Sequence, residues 1–291
     1  MNGIVYKDYD QFGLDVEYNN QLKVADFKSY LAEWSALCAT TKHEYSDVKT
    51  YCYDEKSGQT LDIIYPVEWD GSPCPIQVFF HGGYWKALSK NDFTYVARAF
   101  AQHGIATAIV DYQLMPEVSI DELIRQCRQS LAFLYEHAAG LDLDSSQLHI
   151  SGHSAGGHIV AMCMATEWSE FSPQLPQQIV KSGVGISGLY NLLPISLCFL
   201  QADLNLDMET VLKNSPVNFK EPSKGKFHLL VGGLEGREYL AQSDALAASW
   251  PTAAQSPIVL TPYNHFSIMT SLADPTSFLS THIRHAMSET N

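Results

Sequence analysis

Residues 147–158 read QLHISGHSAGGH, and the fold turns on how this stretch is divided. QLHIS is expected as a strand, and it feeds directly into Gly152-His153-Ser154-Ala155-Gly156, a GxSxG spacing, followed by an apolar helix over residues 155–168. Strand, tight turn and helix form the context in which that spacing carries chemical meaning. In such a turn glycines stand where side chains would collide, and a serine hydroxyl is left exposed on strained backbone at a helix N-terminus. Ser154 is therefore the expected nucleophile.

Outward from this point the chain alternates. Strands are expected at 45–53, 60–65, 75–80 (PIQVFF), 105–112, 179–187, 227–232 and 257–261. Ser119 opens a helix with Glu122 three residues on, a capping-box pattern, and Ile120, Leu123, Ile124, Cys127, Leu131 and Leu134 share its apolar face. A further helix over 21–42 has Val24, Phe27, Tyr30, Leu31 and Trp34 at helical spacing, set to pack on the core or cover part of a site. Alternation of this kind predicts an α/β fold with a mainly parallel central sheet covered by helices on both faces. Reactive groups then belong beyond the carboxyl ends of the strands. No repeat or linker divides the chain, so one domain is expected: an extension with one helix over 1–42, then a catalytic domain over 43–291 in which 190–214 is a candidate cap.

A serine hydroxyl is a weak nucleophile at neutral pH, so a histidine must take its proton and an acid must orient that histidine. His265 lies just past the last expected strand and before the C-terminal helix, and Glu235 ends the run LLVGGLE at the carboxyl end of another. Glu238 and Asp244 are rival acids on the helix that follows. The developing oxyanion needs amide donors, and His81-Gly82-Gly83-Tyr84-Trp85 follows a strand, so Gly82, Gly83 and the amide of Ala155 are the expected hole. Tyr84, Trp85 and Tyr190 are candidate walls of a substrate pocket. His153 and His158 flank the serine without a nearby carboxylate or cysteine, so neither a metal nor another cofactor is expected.

Together these residues resemble the α/β-hydrolase superfamily, specifically the kynurenine formamidase (arylformamidase) group, close to hormone-sensitive-lipase-like esterases. HGGYW at 81–85 is similar to that group's HGGxW motif and DYQLMPE at 111–117 to its Asp-Tyr-x-Leu-x-Pro-Glu segment. YNNQ at 18–21 resembles an N-terminal YNN-type motif, and GHSAGGH at 152–158 and VGGLEGREYLAQS at 231–243 fit as well. The resemblance implies the α/β-hydrolase fold and a serine hydrolase working through an acyl-enzyme, with Ser154, His265 and Glu235 as its triad. It also implies an aryl formamide such as N-formylkynurenine as substrate, which would place the protein in tryptophan breakdown. Formamidases generally carry Asp where this chain has Glu235. A carboxylesterase for small-acyl esters is the competing enzyme, and a non-catalytic binding protein on the same fold is the alternative of another class.

Composition bounds the rest. The chain of 291 residues is 46% hydrophobic and 17% charged, which excludes disorder and leaves one sizeable core. Eighteen Lys and Arg against 32 Asp and Glu give −14, so there is no basic field for nucleic acid or an anionic membrane. A small-molecule substrate is the expected partner, and a homodimer is compatible with the sequence. The six cysteines stand at least 14 positions apart, which removes CxxC pairing. The start, MNGIVYKDYD, has no apolar signal core, and a cytoplasmic location is expected. Residues 182–202 are uncharged, but Gly183, Gly185, Gly188, Asn191 and Pro194 interrupt them, so they read as a strand and turn and not as a membrane span.

Overall fold

The computed structural model describes residues 3–289. Eight strands form one sheet: β1 (Val48–Asp54), β2 (Gln59–Ile64), β3 (Cys74–Phe80), β4 (Ala106–Val110), β5 (Leu143–His153), β6 (Ser182–Ile186), β7 (Lys226–Gly232) and β8 (Ile258–Leu260). Their order is β1-β2-β4-β3-β5-β6-β7-β8, and only the pairings of β2 with β1 and β4 are antiparallel. The mainly parallel sheet expected from the sequence is thus present. Side chains alternate across it as strand geometry demands. Ile76, Val78 and Phe80 of β3 enter the core on one face, and Phe79 enters the core on the other.

Helices cover both faces. In chain order they are α1 (Gln11–Tyr18), α2 (Phe27–Glu44), α3 (Ile120–His137), α4 (Ala155–Met164), α5 (Trp168–Phe171), α6 (Leu193–Leu197), α7 (Gln201–Leu204), α8 (Met208–Lys213), α9 (Arg237–Ser249), α10 (Ser267–Thr270) and α11 (Phe278–Ser288). The apolar faces of α3 and α4 join the first core, and Trp34 and Cys38 of α2 with Ile283 and Ala286 of α11 join the second. At α3, Ser119 Oγ accepts the Glu122 amide at 3.2 Å, which contributes about 1 kcal/mol. The second half of the expected capping box is missing because Arg125 and Gln126 hold the Glu122 carboxylate.

The N-terminal extension departs from the one-helix expectation. Asp10 caps a helix of its own, α1, accepting the Gly13 amide at 2.8 Å. The second helix starts at Phe27 and not at 21, because Asp26 takes the amides of Lys28 and Ser29 and leaves Val24 extended. The helix after Ser154 stops at Met164. Segment 190–214 folds as the three short helices α6 to α8, and α1 grips it through Gln11 Nε2 to Leu197 O at 2.9 Å and Phe199 N to Asp15 Oδ1 at 2.6 Å. Among the described residues no helix is long and apolar enough to cross a membrane.

Candidate active site

Sheet order places the chemistry. β3 and β5 are neighbours with Phe80 paired to Gly152, so the loop after β3 and the turn after β5 emerge side by side. β6, β7 and β8 follow in order, with Ile186 beside Leu230 and Gly232 beside Leu260. The carboxyl ends of five adjacent strands therefore deliver Gly82, Ser154, Ser187, Glu235 and His265 to one edge of the sheet, the place where parallel sheets hold ligands.

Ser154 sits at φ 57° and ψ −118°, a conformation costing about 1–3 kcal/mol for a side-chain-bearing residue. The surroundings hold it there: its amide donates to Ile186 O at 2.8 Å, and its carbonyl accepts from His158 N at 3.2 Å. Gly156 permits the turn, since a Cβ there would lie 2.0 Å from Phe80 O. Ala155 is the first residue of α4, whose N–H has no acceptor within the helix.

The loop after β3 is equally constrained. Gly83 has φ 111°, and a Cβ there would meet Ala87 O at 2.1 Å; Tyr84 and Trp85 follow at φ 50° and 58°. Gly82 lies against Ser154, a Cβ on it falling 3.2 Å from Ser154 Cβ. Among the described residues no backbone carbonyl takes the amide hydrogens of Gly82 or Gly83. The 111–117 segment props this loop from behind: Tyr112 stacks on His81 at 4.2 Å and donates to His81 O at 2.7 Å, and Met115 N bonds Trp85 O at 2.8 Å. Gly83→Ala is expected to lower kcat/KM for a p-nitrophenyl ester by about 10²-fold or more, the scale of one lost oxyanion donor. Full turnover by a folded Gly83→Ala would put the donors elsewhere.

The Glu235 side chain is fully buried, so its charge must be met by donors. Oε1 accepts from Gly232 N at 2.6 Å and Ser187 Oγ at 2.5 Å, and Oε2 lies 2.7 Å from His265 Nδ1. An ionised carboxylate only accepts, so Nδ1 carries the ring proton and Nε2 keeps its lone pair. Of the rival acids, Glu238 is held by Lys7 Nζ at 2.9 and 3.0 Å, and Asp244 is exposed on α9. His153 packs its ring 4.4 Å from that of His265. Burial pushes the His153 pKa well down, and the neighbouring His265 pushes it further, so His153 stays neutral beside the His265 ring.

Ser154 and His265 line one cavity of about 330 Å³, together with Gly83, Tyr84, His153, Phe27, Leu31, Trp34, Phe93 and Phe266. Among the described residues no hydrogen bond joins Ser154 Oγ to His265; in substrate-free enzymes such contacts are commonly long and close in the complex. Part of the roof is the extension, through Tyr18, Asn19, Asn20 and Gln21, with Phe199 and Leu200 from the 190–214 segment. The extension also anchors the chain that carries Glu235. Gly236 has no side chain to cap α9, and Glu17 Oε1 takes the Glu238 amide at 3.0 Å in its place; Arg237 binds Asp8 at 2.9 Å.

Two expected walls lie elsewhere. Trp85 is fully buried behind the loop, its Nε1 donating to His158 Nδ1 at 3.2 Å. Tyr190 is fully buried against Phe227, its ring occupying the space left by Gly185 and Gly188. Of the three, Tyr84 alone faces the cavity. Sequence reasoning passed over Ser187, Asn20 and Tyr239, although YNNQ had marked the second.

A family model described as BD-FAE matches residues 61–225. The kynurenine formamidase of Danio rerio is 29% identical over 265 residues, 86% of each chain. That of Salmo salar is 34% identical over 167 residues, 56% of this chain and 53% of its own. Among solved structures, a putative thioesterase from Silicibacter sp. TM1040 superposes with a TM-score of 0.82 at 28% identity, covering 93% of this chain and 98% of its own.

Proposed function

The chain belongs to the BD-FAE family and is a hydrolase of the α/β-hydrolase fold, and on that premise we propose that it cleaves an aryl formamide, of the N-formylkynurenine class, by a Ser154–His265–Glu235 relay. His265 Nε2 takes the Ser154 hydroxyl proton as Oγ attacks the formyl carbon, and the amides of Gly82, Gly83 and Ala155 receive the oxyanion. His265 then delivers that proton to the nitrogen, the C–N bond breaks, and an arylamine leaves a formyl ester on Ser154. Water, deprotonated by the same Nε2, releases formate and restores the serine.

The observation that carries this reading is the buried Glu235–His265 pair, whose Nδ1 proton is held at 2.7 Å so that an unprotonated Nε2 is available to the cavity holding Ser154. The formyl and aryl parts rest on the formamidase relatives and on the aromatic lining from Phe27, Trp34, Phe93 and Phe266. Steady-state hydrolysis of N-formylkynurenine and of short p-nitrophenyl esters, with Ser154→Ala as blank, tests it. A formamide kcat/KM above about 10⁴ M⁻¹ s⁻¹, at least equal to the best ester, is expected. Ester turnover alone would make the protein a carboxylesterase. Turnover of neither, with Ser154 unlabelled by a fluorophosphonate, would make it a non-catalytic binder.

A further inference from the structure

Asn20 belongs to the YNNQ stretch and comes from the extension, far in sequence from every reacting group. It is 5% exposed and lines the cavity that holds Ser154 and His265. Its Nδ2 donates to Tyr239 Oη at 2.6 Å and to Tyr84 Oη at 3.2 Å. The orientation of the amide follows from counting protons. Tyr84 donates its hydroxyl proton to Tyr18 O at 2.5 Å, so across the 2.6 Å contact between the two hydroxyls Tyr239 is the donor. Both hydroxyl protons are then used, both oxygens can only accept, and Asn20 must present nitrogen to them. Its Oδ1 is left buried with no partner in the protein.

A buried acceptor without a donor costs about 1–3 kcal/mol. Asn20 lines the ligand cavity, and Tyr239, which accepts from Asn20 Nδ2, packs its ring 4.7 Å from that of His265. We propose that Asn20 Oδ1 accepts the N–H of the scissile amide and so favours formamides over esters. The chemistry of the leaving group gives the reason. When the carbonyl carbon becomes tetrahedral the nitrogen pyramidalises, its lone pair must turn to the proton on His265, and its own hydrogen is driven to the other side and needs an acceptor. A phenolic ester oxygen has no hydrogen to place, and it would leave Oδ1 unpaired. Sites built to pair a substrate N–H or O–H discriminate steeply against analogues that lack it.

This inference rests on the formamidase reading above, and the test separates the two. Formanilide and phenyl formate share the formyl group and differ in the N–H. Asn20→Leu is expected to lower kcat/KM for formanilide by about 10²-fold while phenyl formate changes less than about threefold. Equal losses on both substrates would reduce Asn20 to a support for Tyr84 and Tyr239 and overturn the inference, as would no loss on either. If Asn20→Leu does not fold, the wild type takes the test on formanilide against N-methylformanilide, where a drop of about 10²-fold is expected and equal turnover overturns the inference. A wild type that hydrolyses phenyl formate and no formanilide would instead remove the formamidase reading, and this inference with it.

Discussion

Glu235→Gln is expected to lower kcat by about 10⁴-fold and leave stability almost unchanged. The reason is a tautomer and not a lost contact. Gly232 N–H and Ser187 O–H both donate to one carboxylate oxygen, so a glutamine at 235 would keep its carbonyl there and turn its NH2 toward His265. Facing a donor, Nδ1 must become the acceptor and the ring proton must move to Nε2. The base then points a proton at Ser154 and cannot take one. The ¹⁵N shifts of His265 would report that exchange directly. Glu235→Asp keeps the charge but falls one methylene short of a carboxylate that now spans three donors, and it should lose less, about 10–100-fold, the scale of a misplaced orienting group. Near-normal kcat in Glu235→Gln would remove the carboxylate from the relay and return attention to Glu238, which is already committed to Lys7.

The residues legible in the sequence are those whose role is local. A strand running into GxSxG and a helix needs only a dozen consecutive residues, and Glu235 and His265 announce themselves by lying just past the ends of β7 and β8. Even the Glu-for-Asp difference has a local answer, since Oε1 folds back onto Gly232 N three residues earlier. What stayed hidden depends on contacts that spacing does not encode. Asn20 meets Tyr239 across 219 positions, and Ser187 meets Glu235 across 48.

The two misplaced aromatics fail for a related reason. Trp85 adjoins the glycine loop in sequence, but at φ 58° its ring turns inward onto His158. The glycines in VGISGLYN signalled a turn, whereas Gly185 and Gly188 also clear room for the Tyr190 ring. Likewise α2 was visible as a stripe of apolar residues, and the structure gives the stripe its use: Phe27, Tyr30 and Trp34 surround Phe266, the residue after His265. Phe27, Leu31 and Trp34 also line the cavity with Ser154 and His265, in keeping with a helix set to cover part of a site.

Between neutral pH and about pH 4.5, wild type and His158→Gln are expected to converge in stability by about 2 kcal/mol, because only the wild type has this proton to gain. His158 is fully buried: its Nδ1 accepts from Trp85 Nε1 at 3.2 Å and its Nε2 donates to Asn214 O at 2.7 Å. The first bond requires an unprotonated Nδ1, whereas either form of the ring can make the second, and burial lowers the pKa to about 4. An unfolded histidine takes its proton near pH 6.5, while the native one resists until about pH 4. The unfolded state thus binds more protons throughout that window, and native stability is complete above about pH 6.5 and declines as pH falls toward 4, by about 3 kcal/mol from this group alone. His149, lowered to about 4 by burial and then by Lys181, adds to the decline in both proteins and cancels from the comparison. Glutamine can bridge the same two partners and cannot charge, so near pH 7 it is the weaker fit and at acid pH it loses less. Urea unfolding at the two pH values reads the difference, and an unchanged gap would mean that His158 does not titrate between folded and unfolded states. The charge would also reach the loop that carries Gly82 and Gly83, since a proton on Nδ1 would face the Trp85 Nε1–H and free Trp85 from the helix that begins at Ala155, while the bond from Nε2 to Asn214 O would hold.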